Sequence, residues 1–116
     1  MARGLDKHKA RLEAVAAFGK DLARRAGRKC ELCEEADDLR PYETDADEEP
    51  ELETLILLCS RCRQVTAGRK DDPRTLRFLE GAMWSEVDVV AATARAILTR
   101  VDANWARDAL DLIEQS

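Results

Sequence analysis

Four cysteines in two closely spaced pairs constrain this chain more than any other feature of its sequence. Cys30 and Cys33 form one C-x-x-C pair, Cys59 and Cys62 form the other, and residues 34–58 separate them. Each pair can fold into a tight turn, here called a knuckle, that points two sulfurs at one position. Two knuckles then place four thiolates at about 2.3 Å from a zinc ion, which closes the site to water and substrate. We therefore predict one structural Zn²⁺ held by these four cysteines.

Other roles for the same cysteines stay open at this level. Two disulfides, a redox-active C-x-x-C or buried free thiols would use the same residues. A thioredoxin-like motif needs a strand directly before its C-x-x-C, and the sequence upstream of Cys30 does not indicate one. The 25 residues between the pairs exceed the roughly 15–20 that are usual for zinc sites. An acidic loop over residues 43–53 accounts for the excess.

Charge is distributed unevenly along the chain, which has a net charge of −5. Residues 1–30 carry nine basic and three acidic side chains, whereas residues 31–53 carry one basic and twelve acidic ones. The acidic total argues against non-specific binding to nucleic acid. The sequence shows neither a signal peptide nor a run of about 18 apolar residues, so we expect no membrane segment. Paired cysteines without a secretion signal favour the cytoplasm, where thiols stay reduced.

We predict a single domain over residues 1–116 of the α+β class, mostly helical. An amphipathic helix over residues 5–26 precedes a zinc-ribbon or treble-clef hairpin module over residues 28–68, and helices fill residues 72–116. The strands are expected at residues 39–43 and 54–58. A helix over residues 60–68 would make the module a treble clef, which we favour over a ribbon.

The N-terminal helix has an apolar side at roughly helical spacing. That side consists of Leu5, Leu12, Val15, Ala16, Phe18, Leu22, Ala23 and Ala26. Gly19 weakens the middle of the helix, and Gly27 is expected to cap its end. The basic face either faces solvent or contacts an acidic partner, which could be the acidic loop of the same chain.

Capping residues predict three further helices. The first runs from Asp72 and Pro73 to Glu80 with Gly81 as its end, the second is capped by Ser85, and the last is opened by Asp102 or Asn104. Trp84 and Trp105 are expected to be the large side chains of the core.

Residues that would support catalysis are scarce. His8 is the only histidine and lies outside the cysteine module. Zinc catalysis needs an open coordination position and a base, whereas all four predicted ligands are thiols. The acidic loop has no glycine and is interrupted by Pro50, so it fits no EF-hand. We therefore expect a protein that is not an enzyme.

Residues 28–33 (Arg-Lys-Cys-Glu-Leu-Cys) and 55–62 (Leu-Ile-Leu-Leu-Cys-Ser-Arg-Cys) resemble the zinc scaffold of HNH endonucleases. In that family, histidines in the hairpin and just after the last cysteine cut the nucleic acid. Residues 41–43 (Pro-Tyr-Glu) and Arg63 stand in those places here. The resemblance therefore implies a scaffold with a structural metal and without the nuclease histidines.

A second resemblance covers most of the chain. Besides both knuckles, it rests on Met-Trp-Ser-Glu-Val at residues 83–87, Trp-Ala-Arg-Asp-Ala-Leu-Asp-Leu at 105–112, and Gly-Leu-Asp-Lys-His-Lys at 4–9. These segments are similar to the N-terminal region of bacterial PhnA-type proteins. Longer members carry a small β-rich second domain that this sequence lacks, and the hairpin loop here is unusually acidic. The family label, alkylphosphonate utilisation, implies no mechanism, and no residue here suggests phosphonate chemistry.

These observations favour a zinc-binding, PhnA-like binding or regulatory module whose protein partner is unknown and which could form a homo-oligomer. One alternative is nucleic-acid binding through the basic helix and a basic cluster after the second knuckle, formed by Arg61, Arg63, Arg69 and Lys70. The other is an enzyme, either a degenerate HNH-like nuclease or a phosphonate-pathway hydrolase.

Overall fold

The computed structural model describes residues 2–115, and the side chains of residues 7–115. Its elements in chain order are α1 Ala2–Ala17, α2 Gly19–Ala26, β1 Arg40–Glu43, β2 Leu55–Leu58, α3 Ser60–Thr66, α4 Leu79–Ala82, α5 Asp88–Leu98 and α6 Asn104–Glu114. Single 3₁₀ turns lie at Leu52–Thr54 and Pro73–Thr75. The expected mostly helical architecture with one small hairpin is confirmed. None of the described helices is both long and apolar enough to cross a membrane.

The helix predicted over residues 5–26 is instead two helices. Phe18 separates α1 from α2, with φ −88° and ψ −1°, and its N–H bonds to the Val15 carbonyl at 3.1 Å. Beyond this break, Leu22 on α2 is fully buried and packs with Leu55 and Leu57 of the hairpin. Gly27 ends α2 as expected, in the left-handed region at φ 64°. The side chain of Leu5 lies outside the described residues.

The antiparallel hairpin is the centre of the fold. Its register pairs Arg40 with Leu58, so the start of β1 lies beside the end of β2. All four residues of β2 are buried, because alternate side chains enter two different clusters. Ile56 and Leu58 enter the main core with the helices that follow the hairpin. The second apolar cluster contains Leu55, Leu57 and Leu22 of α2.

The helix predicted from Asp72 to Glu80 does not form as one element. The Asp72 carboxylate does accept the Arg74 N–H at 3.0 Å, but the turn that it caps is a single 3₁₀ turn. The Arg61 guanidinium donates to the Thr75 carbonyl at 3.0 Å, an oxygen that a continuing helix would use internally. The chain resumes as α4, and Gly81 lies inside α4 rather than at its end.

Two other expectations about the C-terminal region need correction. The Ser85 hydroxyl accepts the Val87 N–H at 3.1 Å, yet α5 begins only at Asp88. Trp84 is 46 % exposed and stacks under the Arg95 guanidinium at 5.5 Å, so it does not belong to the core. Trp105 packs against the core while partly exposed.

Candidate metal centre

The structure brings the four predicted ligands together. Cys30 and Cys33 lie in the turn that follows α2, Cys59 lies between β2 and α3, and Cys62 lies in the first turn of α3. Their four sulfur atoms all lie within 4.8 Å of one another. The antiparallel register of the hairpin causes this meeting, since it places the end of β2 beside the chain that leaves the first knuckle.

The arrangement fits a tetrahedral ion. Four sulfurs at about 2.3 Å from zinc would lie about 3.8 Å from one another, and the Sγ atoms of Cys33 and Cys59 are 3.6 Å apart. All four cysteines are free thiols. Three of the cysteines are buried and Cys33 is partly exposed, so most of the site is shielded from solvent. Thiolates in this geometry are suited to zinc and related soft metal ions.

Backbone hydrogen bonds shape both knuckles. The Cys62 N–H donates to the Cys59 sulfur at 3.4 Å. In the first knuckle, the Cys30 N–H donates to the Glu35 carbonyl at 2.8 Å and the Glu34 N–H to the Cys30 carbonyl at 2.9 Å. Glu34 adopts φ 68°, a conformation that non-glycine residues rarely take. The chain accepts this strained residue where it closes the turn around the sulfurs.

Two of the four thiols, Cys33 and Cys62, resist ionisation in the absence of a cation because their pKa values are raised. A hydrogen bond from the Cys62 thiol lowers the pKa of Cys30 to about 4. The same hydrogen bond, burial and the neighbouring cysteines raise the pKa of Cys62. Burial raises the pKa of Cys33 to about 12. The site therefore accommodates one thiolate readily. Each further thiolate is repelled by the first, because little water is present to screen the charges. A bound divalent cation would supply the charge that removes this penalty.

An ion pair next to the first knuckle was not evident from the sequence. The Arg25 guanidinium on α2 donates to both carboxylate oxygens of Glu31 at 2.9 Å, and Glu31 lies between Cys30 and Leu32. Arg25 also donates to the carbonyls of Leu52 at 2.7 Å and Leu55 at 2.6 Å. One side chain therefore joins α2, the first knuckle and the entrance of β2. Only a three-dimensional arrangement distinguishes Arg25 from the other basic residues of that region.

The places where the HNH resemblance would put histidines hold residues with structural contacts. Arg63 donates to the Leu58 carbonyl at 2.7 Å and the Asp38 carbonyl at 2.6 Å, which ties α3 to the segment after the first knuckle. Glu43 accepts from the Arg11 guanidinium at 2.9 Å. Neither side chain belongs to the group of potential metal ligands, which the four cysteines form by themselves.

The predicted basic surfaces are partly neutralised within the chain. Arg61 and Arg69 both pair with Asp71, and Arg63 pairs with Asp38. The Arg63 guanidinium is therefore occupied by contacts within the cysteine module. Lys70, in contrast, forms no ion pair with the described residues.

The first N-terminal helix, α1, contacts the acidic loop through Arg11. Besides its pair with Glu43, Arg11 donates to the Glu48 carbonyl at 2.7 Å. Among the side chains that the structure describes on α1, the other bases, Lys7, His8 and Lys9, are exposed. His8 is not part of the cysteine cluster, which is the one group of potential metal ligands among the side chains of residues 7–115.

Comparison of the chain with known protein families, with curated proteins and with solved structures finds no significant match. The site consists of four free thiols whose sulfur atoms are close enough to bind one tetrahedral ion.

Proposed function

We propose that the protein is a small zinc-binding module in which one structural Zn²⁺ is held by Cys30, Cys33, Cys59 and Cys62. The observation that carries this proposal is the convergence of all four sulfurs within 4.8 Å. The role that suits such a site is non-catalytic, because four protein thiolates leave no coordination position for a substrate. The module would bind or regulate a partner protein in a compartment that keeps thiols reduced.

We also propose that the module is a treble clef rather than a zinc ribbon. The support is that α3 begins at Ser60, directly after Cys59, and carries Cys62 in its first turn. This form agrees with the proposed scaffold likeness to HNH endonucleases and with a PhnA-like relationship. No residue near the cluster suggests phosphonate chemistry, so the proposal includes no reaction.

Native mass spectrometry of the untagged protein, beside a denatured spectrum, tests the metal site. We expect one zinc per chain and four reduced thiols, and the same spectrum gives the oligomeric state. Cys59→Ser should lose the zinc and the cooperative melting transition, because structural zinc contributes on the order of 10 kcal/mol to folding. Ser60→Ala is the matched control and should keep both. A Cys59→Ser variant with full zinc and an unchanged Tm would contradict the proposal.

Nucleic-acid binding is the second candidate, and exposed lysines on α1 favour it. Lys7 and Lys9 form no ion pair with the described residues, unlike Arg61, Arg63 and Arg69. Binding of this kind would weaken steeply as salt increases. A titration against duplex and single-stranded nucleic acid at low salt tests it, and a flat titration would exclude it. Metal-dependent turnover that survives removal of loosely bound ions would instead support the nuclease or hydrolase alternative.

A further inference from the structure

A cavity of about 640 Å³ lies away from the cysteines, between the ends of α3 and α5 and the segment that connects α3 to α4. Its volume is within the roughly 300–1,000 Å³ that is usual for small-molecule sites. The floor is apolar, because Val65, Leu76 and Ile97 line it where the main core reaches the surface. Val101 and Pro73 extend the apolar wall toward solvent.

The rim of the cavity is positively charged. Arg69, Lys70 and Arg100 line it, together with Asp71 and Asp102. Both carboxylates already have cationic partners: Asp71 pairs with Arg61 and Arg69, and Asp102 pairs with Arg107. Three cations thus line the cavity against two carboxylates, and Arg61 and Arg107 beside it supply two further cations to those carboxylates. The field at the mouth favours an anion over a cation.

Arg100 and Lys70 carry the charges that remain available. Arg100 donates to the carbonyls of Val65 at 3.4 Å and Thr66 at 3.2 Å. Those acceptors are neutral, and they occupy two of the five N–H groups of a guanidinium. Lys70 is exposed and has no ion-pair partner among the described residues. A carboxylate at the mouth would gain charge-assisted hydrogen bonds from both side chains without displacing an existing ion pair.

We propose that this cavity binds a small amphipathic carboxylate, with an unbranched aliphatic chain on the apolar floor and the carboxylate between Arg100 and Lys70. An apolar floor selects a hydrocarbon chain, and the uncompensated cations select one terminal anion. A bulky polyanion fits less well, since Asp71 and Asp102 also line the mouth. This site is independent of the metal centre, so either proposal can fail without the other.

Hexanoate, octanoate and decanoate are the probes, titrated into the zinc-loaded, isotope-labelled full chain at low salt and followed by amide NMR. We expect shifts at Val65, Gly68 and Val101, and affinity that rises about twofold per added methylene, because the floor covers only one side of the chain. Octan-1-ol should bind at least fivefold more weakly than octanoate, because it lacks the charge.

Variants of the cationic rim complete the experiment. Lys70→Gln removes a side chain that has no partner in the fold, and we expect it to weaken octanoate binding about fivefold. Lys20→Gln on α2 is the matched control and should leave binding unchanged. Arg100→Gln should weaken binding further, although it also removes hydrogen bonds that cap α3. The proposal is overturned by unchanged spectra, by equal binding of octan-1-ol, or by shifts centred on the exposed Trp84, Leu12 or Leu112 instead of the cavity.

Discussion

Replacement of Arg25 by methionine should destabilise the protein more than any other change to its charged residues. Methionine preserves much of the aliphatic volume but leaves the Glu31 carboxylate without its partner. That side chain is only 5 % exposed, whereas Arg25 is 20 % exposed. The carbonyls of Leu52 and Leu55 lose their side-chain donor at the same time.

Removal of one partner from a buried ion pair costs about 3–5 kcal/mol. Partial exposure of Arg25 admits some solvent to the site, so the lower end of that range applies. We expect a loss of about 3 kcal/mol, or about 12 °C in Tm for a domain of this size. Glu31→Gln should cost only about 1 kcal/mol, because Arg25 keeps both carbonyls and its contact with water.

Urea unfolding at a fixed excess of free zinc is the appropriate assay, because bound metal adds to the free energy of unfolding. Arg24→Met is the matched control. Arg24 pairs with Asp21 in an exposed i,i+3 contact at 3.5 Å, which is worth below about 0.5 kcal/mol. The double variant Arg25→Met with Glu31→Gln should be more stable than the sum of the two losses predicts, since it removes the unpaired charge. Equal unfolding midpoints for Arg25→Met and Arg24→Met would refute the reasoning.

Three further predictions concern the metal, the surface and the backbone. Zinc binding near pH 7 should release at least two protons, because the pKa values of Cys33, at about 12, and of Cys62 are raised in the metal-free protein. The affinity for zinc should therefore fall as the pH falls. Calorimetry in buffers of different ionisation enthalpy counts those protons, and fewer than one per zinc would contradict the assignment. Trp84→Ala should lower stability by about 1–2 kcal/mol, less than the roughly 3–5 kcal/mol of a buried tryptophan, because the side chain is 46 % exposed, and a loss of core size in thermal melting would place the ring inside. Gly27→Ala should lower the free energy of unfolding by about 1 kcal/mol, because residue 27 has a positive φ. Gly19→Ala, with nothing within 4 Å of an added Cβ, should be neutral or stabilising in the same thermal melts.

The hairpin and the cysteine cluster were accessible from the sequence because their determinants are local. Both strands appeared as short apolar or β-prone runs, and they lie within one residue of the expected bounds. The spacing of the C-x-x-C pairs limits each knuckle to one tight turn. Antiparallel pairing of two adjacent strands then leaves little choice about where the knuckles meet.

The predictions from sequence are wrong where a side chain from a distant part of the sequence competes with a local capping or hydrophobicity pattern. Asp72 and Pro73 do cap a turn, but the Arg61 side chain takes the Thr75 carbonyl that the next turn needs. Tryptophan is a residue type that is expected in a core, yet the buried side chains of Leu79 and Met83 already fill the interior next to Trp84. Such competition depends on tertiary contacts and leaves no trace in periodicity or capping patterns.

The burial of β2 on both faces has a consequence for how the chain can be divided. Residues 28–68 contain every metal ligand and look like a self-sufficient unit. Without α2, however, Leu55 and Leu57 would lose the cover of Leu22, and a two-stranded sheet would present an uncovered apolar face beside unpaired strand edges. A fragment cut to the cysteine module would load zinc and still tend to aggregate. Because α2 supplies the side chain that covers this face, a fragment of the cysteine module that stays in solution must begin before α2.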